Sequence, residues 1–234
     1  MTHSNEPLFL HEQVLLLALK PEQGTIDHKA GSYLLGLGGA IFGDLVLTGR
    51  LKVSPGDKRL VSLANDTPLG HDVLDSCLAW VAGAKKPAAV QFWVSRFSRT
   101  KHLKNRVARA LCEKRVLREE EGQVLLFFKR AVFPQVNPAP RFEILNKLRS
   151  TVFSENRDLE ANLAMLTALA RVTGILGMYF DRHDLKHRKE RLERITRGEA
   201  CAQAVTRAVH AATAASVAAL STAMTAATAP HGHR

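Results

Sequence analysis

The stretch Leu8-Phe9-Leu10-His11-Glu12-Gln13-Val14-Leu15-Leu16-Leu17-Ala18-Leu19-Lys20-Pro21 sets Leu10, Val14 and Leu17 on one row and Leu15 and Leu19 on the next. Spacing of three and four lines side chains along an α-helix, and a proline ends it, having no N–H to donate and no room beside the preceding turn. The pattern predicts a helix over 8–19 that stops at Lys20-Pro21. Beyond the Gln23-Gly24 turn the same rhythm returns over 28–47, through Tyr33, Leu34, Leu37, Ile41, Phe42 and Leu45. Gly36, Gly38, Gly39 and Gly43 interrupt it, and a glycine inside a helix costs about 1 kcal/mol relative to alanine. Tolerating that cost makes sense where another backbone packs too closely for a side chain.

Working outward, helical spacing recurs over 72–81, 88–97, 101–115, 141–152, 158–174 and 184–197. Two hairpins interrupt the helices. In the first, 51–53 and 59–63 flank Ser54-Pro55-Gly56-Asp57; in the second, spanning 116–133, the arms 116–117 and 123–128 flank a turn at 119–122. The uncharged segment 211–229 has spanning length, but Ala, Thr and Ser dominate it and offer too little hydrocarbon to a bilayer. Val205, Val209, Val217, Leu220 and Met224 instead mark an amphipathic terminal helix. The expected fold is mainly α, a single-domain helical bundle with a protruding β-hairpin, over 8–229 between a flexible 1–7 and a disordered tail at 230–234.

With 234 residues, 46% apolar and 24% charged, the chain can bury a core without staples, which excludes disordered and collagen-like classes. Cys77, Cys112 and Cys201 are too far apart for a disulfide framework or a zinc motif and fit a reducing cytoplasm. The start Met1-Thr2-His3-Ser4-Asn5-Glu6-Pro7 has no basic region before the apolar run, so a secretory leader is not expected.

Motifs for catalysis are missing or broken. Gly36-Leu37-Gly38-Gly39 begins like a dinucleotide fingerprint, yet it lacks the third glycine and follows a helix rather than a strand. His11-Glu12 opens like a zinc-protease motif, but Leu15 stands where the second histidine is required. His183 and His187 lie one turn apart beside Asp181 and Asp184, in a stretch crowded by Arg182, Lys186, Arg188 and Lys189 that opposes cation binding. Neither an enzyme nor a resident cofactor is expected.

Charge is the informative feature. The chain carries +11, and between 96 and 118 the bases Arg96, Arg99, Lys101, Lys104, Arg106, Arg109, Lys114, Arg115 and Arg118 face the single acid Glu113. Placed on one helix, Lys101 and Lys104 are i,i+3 neighbours able to converge on a phosphate. Alongside lies the hairpin with Phe127, Phe128 and Phe133, bracketing Lys129-Arg130. Bases beside an apolar finger suit an anionic membrane, where cations meet phosphates and methylenes enter the bilayer. They equally suit a winged helix, with 101–115 in a DNA groove and 116–133 as the wing. The residues alone leave these two readings level.

A resemblance separates them. The opening 8–20, Gly24, Gly36-Leu37 and Asp44-Leu45-Val46-Leu47-Thr48-Gly49-Arg50-Leu51 resemble the Golgi phosphoprotein 3 family of phosphatidylinositol 4-phosphate-binding adaptors. The likeness continues through Leu111-Cys112-Glu113-Lys114-Arg115-Val116-Leu117, Val124-Leu125-Leu126-Phe127 and Arg182-His183-Asp184-Leu185, over about residues 8–225. It implies a helical, non-catalytic adaptor on the cytoplasmic side of membranes, whose hairpin serves membrane contact and self-association. It also implies an anionic lipid partner, a possible homo-oligomer and a possible protein cargo, with nucleic acid less favoured. The headgroup pocket of eukaryotic members uses a tryptophan and three arginines. Two of those arginines fall on Lys101 and Lys104, the tryptophan on Lys29 and the third arginine on Gly38, with Arg106 nearby. The arginine cluster that eukaryotic members use to engage vesicle coat is absent from 1–7, and with the alanine-rich tail this resembles the bacterial branch.

Overall fold

The computed structural model describes residues 7–55, 58–124, 128–155, 159–198 and Ala218. The amino-terminal segment 1–6, the terminal helix expected over 211–229 apart from Ala218, and the tail 230–234 lie outside the described residues, as does Phe127.

Helix α1 (Leu10–Ala18) is buried on all sides except at Gln13, as befits a helix that is apolar around its whole circumference. A single 3₁₀ turn (His28–Ala30), capped by Asp27 accepting from the Lys29 N–H at 2.9 Å, precedes α2 (Tyr33–Leu47). The helix expected over 28–47 is therefore two pieces, because the capped turn breaks the path before Tyr33. Next come β1 (Leu51–Val53), β2 (Leu60–Leu63), α3 (Asp72–Ala82), β3 (Ala88–Ala89), α4 (Val90–Ser98) and α5 (Leu103–Glu113). The second half holds β4 (Glu120–Val124), β5 (Phe128–Val132), α6 (Ala139–Phe153), α7 (Ala161–Val172), α8 (Leu176–Tyr179), α9 (Arg182–His187) and α10 (Lys189–Arg197). Strands β1, β2 and β3 form one antiparallel sheet, and β4 pairs only with β5. The molecule is thus a mainly helical domain with a β-hairpin, as expected.

Helix α2 packs chiefly on α4, α1 and α7. Its backbone meets that of α4 at Gly38, where an added Cβ would sit 2.4 Å from the Val94 carbonyl oxygen and 2.9 Å from Ser98. The glycine lets two backbones meet, as the composition of the helix suggested.

The hairpin corrects one expectation. The residues 119–122 expected to turn instead run into β4, and the ladder extends from Glu120↔Val132 to Val124↔Phe128. This register sets Glu120 and Glu121 opposite Val132 and Ala131, and Gly122 and Gln123 opposite Arg130 and Lys129.

Both ends of α1 are satisfied from far along the chain. At its start, Asp44 accepts from the Leu10 N–H at 2.8 Å, the His11 N–H at 3.1 Å and the His11 ring Nδ1 at 2.6 Å. Glu12 accepts from the Phe9 N–H at 2.8 Å and pairs with Lys114 at 2.7 Å, while His71 Nε2 stands 3.6 Å away. Burial pushes the Glu12 carboxyl up, but the His71 hydrogen-bonding edge, the His11 charge and Lys114 outweigh it and leave its pKa at about 2. At the other end Arg141 donates to the Leu19 carbonyl at 3.0 Å and to the Tyr179 hydroxyl at 2.7 Å, and that hydroxyl donates to the Leu17 carbonyl at 2.7 Å. These contacts take up backbone groups that a helix end leaves without partners. His11-Glu12 is thus a structural joint.

Among the described residues, no helix is long and apolar enough to cross a membrane.

Candidate anion-binding face

Among the described residues, Arg106, Arg109, Lys114 and Arg118 of this basic stretch are tied to carboxylates. Arg106 grips Asp72 through Nε and an Nη, each at 2.6 Å, and reaches the Ser76 hydroxyl at 2.7 Å. Arg109 holds Glu119 through two bonds of 3.0 Å, Lys114 holds Glu12, and Arg118 pairs with Glu120. The hydrogen bonds and the opposite charges raise the Arg106 pKa and lower that of Asp72. Arg106 therefore ties α5 to the start of α3.

Lys104 is different. It lies on the first turn of α5, half-buried, with its ammonium 5.3 Å from the centre of the Phe133 ring. Burial lowers its pKa, and the charge of Arg130 on β5 lowers it further. The same Arg130 acts on the Tyr33 hydroxyl at the start of α2, where burial raises the pKa and the arginine opposes the rise. Lys104, Arg130 and Tyr33 thus gather from α5, the hairpin and α2. Among the described residues neither Lys104 nor Arg130 has a carboxylate partner.

The backbone explains the gathering. Gly24, at φ +61°, leaves no space for a Cβ against Phe133, and the Phe133 N–H donates to the Gly24 carbonyl at 3.0 Å. Gln135 N–H donates to the Pro21 carbonyl at 2.8 Å. These bonds pin the root of the hairpin to the loop between α1 and α2, where the charge of Arg130 acts on both Tyr33 and Lys104.

The remaining expected residues divide. Lys101 is exposed, but it precedes α5 because His102 has φ 55°, so its i,i+3 relation to Lys104 is not a helical one. Lys29 is exposed on the 3₁₀ turn, four residues before Tyr33. Gly38 is buried beneath α4 and lies apart from the surface, so its expected place in a pocket is corrected. Phe133 is 0% exposed and forms the floor under Lys104, which corrects its expected place on the exposed finger. Phe128 is the first residue of β5. Sequence reasoning missed Tyr33 and Arg130; the apolar Tyr33 and the lone pair Lys129-Arg130 carry no local sign of meeting.

Among the described residues, no group of three or more His, Cys, Asp or Glu converges as metal ligands. His183 and His187 face each other, Nε2 to Nε2 at 2.8 Å, while Asp181 is occupied in capping α9 by accepting from the His183 and Asp184 N–H groups. What the Lys104 face offers chemically is charge: an ammonium over the Phe133 ring that feels the charge of Arg130, neither cation having a carboxylate partner among the described residues. An oxyanion such as a phosphate relieves that repulsion.

A model of the family described as Golgi phosphoprotein 3 (GPP34) matches residues 10–212. Vacuolar protein sorting-associated protein 74 of Eremothecium gossypii is 25% identical over 178 residues, which cover 68% of this chain and 53% of that protein. The chain spans about half the length of the curated relative it matches.

Proposed function

Because the chain belongs to the Golgi phosphoprotein 3 (GPP34) family, we propose that it is a non-catalytic adaptor docking peripherally on anionic membranes through the Lys104 face. The observation that carries this reading is the half-buried Lys104 ammonium over the Phe133 ring, within reach of the charge of Arg130 and, like it, without a carboxylate partner among the described residues. Lys101 and Lys29, both exposed, would add to the same charge. By family likeness the headgroup is a phosphoinositide, phosphatidylinositol 4-phosphate foremost, on the cytoplasmic side. Lys29 and Gly38, in place of the tryptophan and arginine of eukaryotic members, support a bacterial-type member that grips phosphate by point charge rather than by an arginine fork. Phe127 and Phe128, in the sequence of the hairpin, would add insertion into the bilayer or contact with a second copy, and a protein cargo would complete the adaptor role.

Each cation near an anionic surface contributes about 1 kcal/mol, so four or five give salt-sensitive binding. Flotation with neutral phosphatidylcholine vesicles and with vesicles also carrying phosphatidylinositol 4-phosphate, phosphatidylinositol or cardiolipin is the test. Wild type should float only with anionic vesicles, and Lys104→Glu with Arg130→Glu should abolish it. A double variant that floats normally while losing a DNA gel shift at matched salt would hand the function to nucleic acid.

A further inference from the structure

A second concavity lies on the face of α4, away from the hairpin root. It encloses about 650 Å³ and is walled by Leu35, Trp80, Phe92 and Val94, with Arg96 and Arg99 at its edge. No acidic residue lines it. Phe92 is 50% exposed there, an aromatic face left to water at a cost that burial would recover. The Arg96 guanidinium stacks 5.0 Å from the Trp80 ring centre. A cation–π contact of this kind does not use up the N–H donors that an oxyanion would take. Among the described residues, neither Arg96 nor Arg99 has an ion-pair partner.

We propose that this cleft binds a single-chain anionic amphiphile, its phosphate or carboxylate held by Arg96 and Arg99 and its aliphatic chain lying against Phe92, Trp80 and Leu35. The volume falls within the range of small-ligand sites, and the lining has the makeup of one: apolar walls with a few polar groups at one end. Charge selects the head, since two uncommitted arginines with no acid nearby favour an anion over a neutral or cationic ligand. This site is separate from the Lys104 face and does not depend on it.

Trp80 in the cleft wall supplies the readout, with Trp93 buried beside it as the chain's only other tryptophan. Full-length protein titrated with oleoyl lysophosphatidic acid below its critical micelle concentration should show saturable, one-to-one quenching or shift of tryptophan emission. Glycerol 3-phosphate, the head without the chain, and monooleoylglycerol, the chain without the charge, should each bind at least about tenfold more weakly. Arg96→Glu with Arg99→Glu should lower affinity by about tenfold or more, and Phe92→Glu, at a half-exposed position that tolerates polarity, should do the same. Lys104→Glu with Arg130→Glu should leave this binding intact while removing vesicle flotation, so failure of one site is distinguishable from failure of the other. Equal binding of monooleoylglycerol, absence of saturation, or full binding by Phe92→Glu would overturn the proposal.

Discussion

Replacing Gly38 by alanine should destabilise the protein although alanine is the better helix former. The gain from helix propensity is about 1 kcal/mol. Against it, the new methyl carbon would lie 2.4 Å from the Val94 carbonyl oxygen and 2.9 Å from both Ser98 N and Ser98 Cβ, where ordinary contact begins at 3.4 Å. The first two obstacles are backbone, so α2 and α4 must part by about 1 Å. Overpacking of a close-packed interior costs about 1–3 kcal/mol, and separating two helices that share so much surface belongs at the upper end. A net loss of about 1–2 kcal/mol is expected, read as a lower urea midpoint with unchanged slope. Gly177, with nothing within 4 Å of an added Cβ, is the control: Gly177→Ala should hold or raise the midpoint. Gly38→Arg, which restores the arginine of eukaryotic relatives, should not fold to the native packing at all. A Gly38→Ala protein as stable as wild type would refute the reasoning, because it would mean that the backbones do not meet there.

Three further outcomes follow from the same geometry. Glu12 has a folded-state pKa of about 2 against an ordinary 4.5, so its contribution is complete above pH 4.5 and is lost as pH falls toward 2. That gap corresponds to about 3 kcal/mol, and Glu12→Gln should flatten the acid limb of an unfolding free-energy profile measured between pH 5 and 2 in proportion. Tyr179→Phe strips the Leu17 carbonyl and Arg141 of a buried partner and should cost about 1–3 kcal/mol in denaturant titration. Lys104→Met should stabilise the fold by a few tenths of a kcal/mol, by ending its repulsion with Arg130 over the Phe133 ring, while weakening vesicle flotation. A melting temperature that falls in Lys104→Met would argue against the unrelieved charge.

The helices were legible because their information is local. The rhythm of Leu10, Val14 and Leu17 and the proline that follows them need no partner to be read, and α1 ends at Ala18 as that rhythm requires. The glycines of α2 announced a close neighbour, and α4 is that neighbour. What was not legible depends on pairing across distance. Arg106 belongs to Asp72, thirty-four residues away, and nothing in the basic run distinguishes it from Lys104. The turn of the hairpin was misplaced because Glu119 through Gly122 has turn composition, while strand register is decided by what lies opposite. Lys101 looked helical until the left-handed His102 intervened. The cluster of Tyr33, Lys104 and Arg130 draws on three elements, so no window of sequence contains it.

The first helix of the chain is closed by its last-made half. Leu17 and Leu19 receive their partners from Tyr179 and Arg141, and Leu10 receives its own from Asp44. During synthesis α1 leaves the ribosome more than a hundred residues before Arg141 does, with a greasy circumference and bare carbonyls. Nascent chains stopped before Arg141 should therefore be protease-sensitive and bind chaperones, and the domain should fold in one late step once α6 through α8 have emerged.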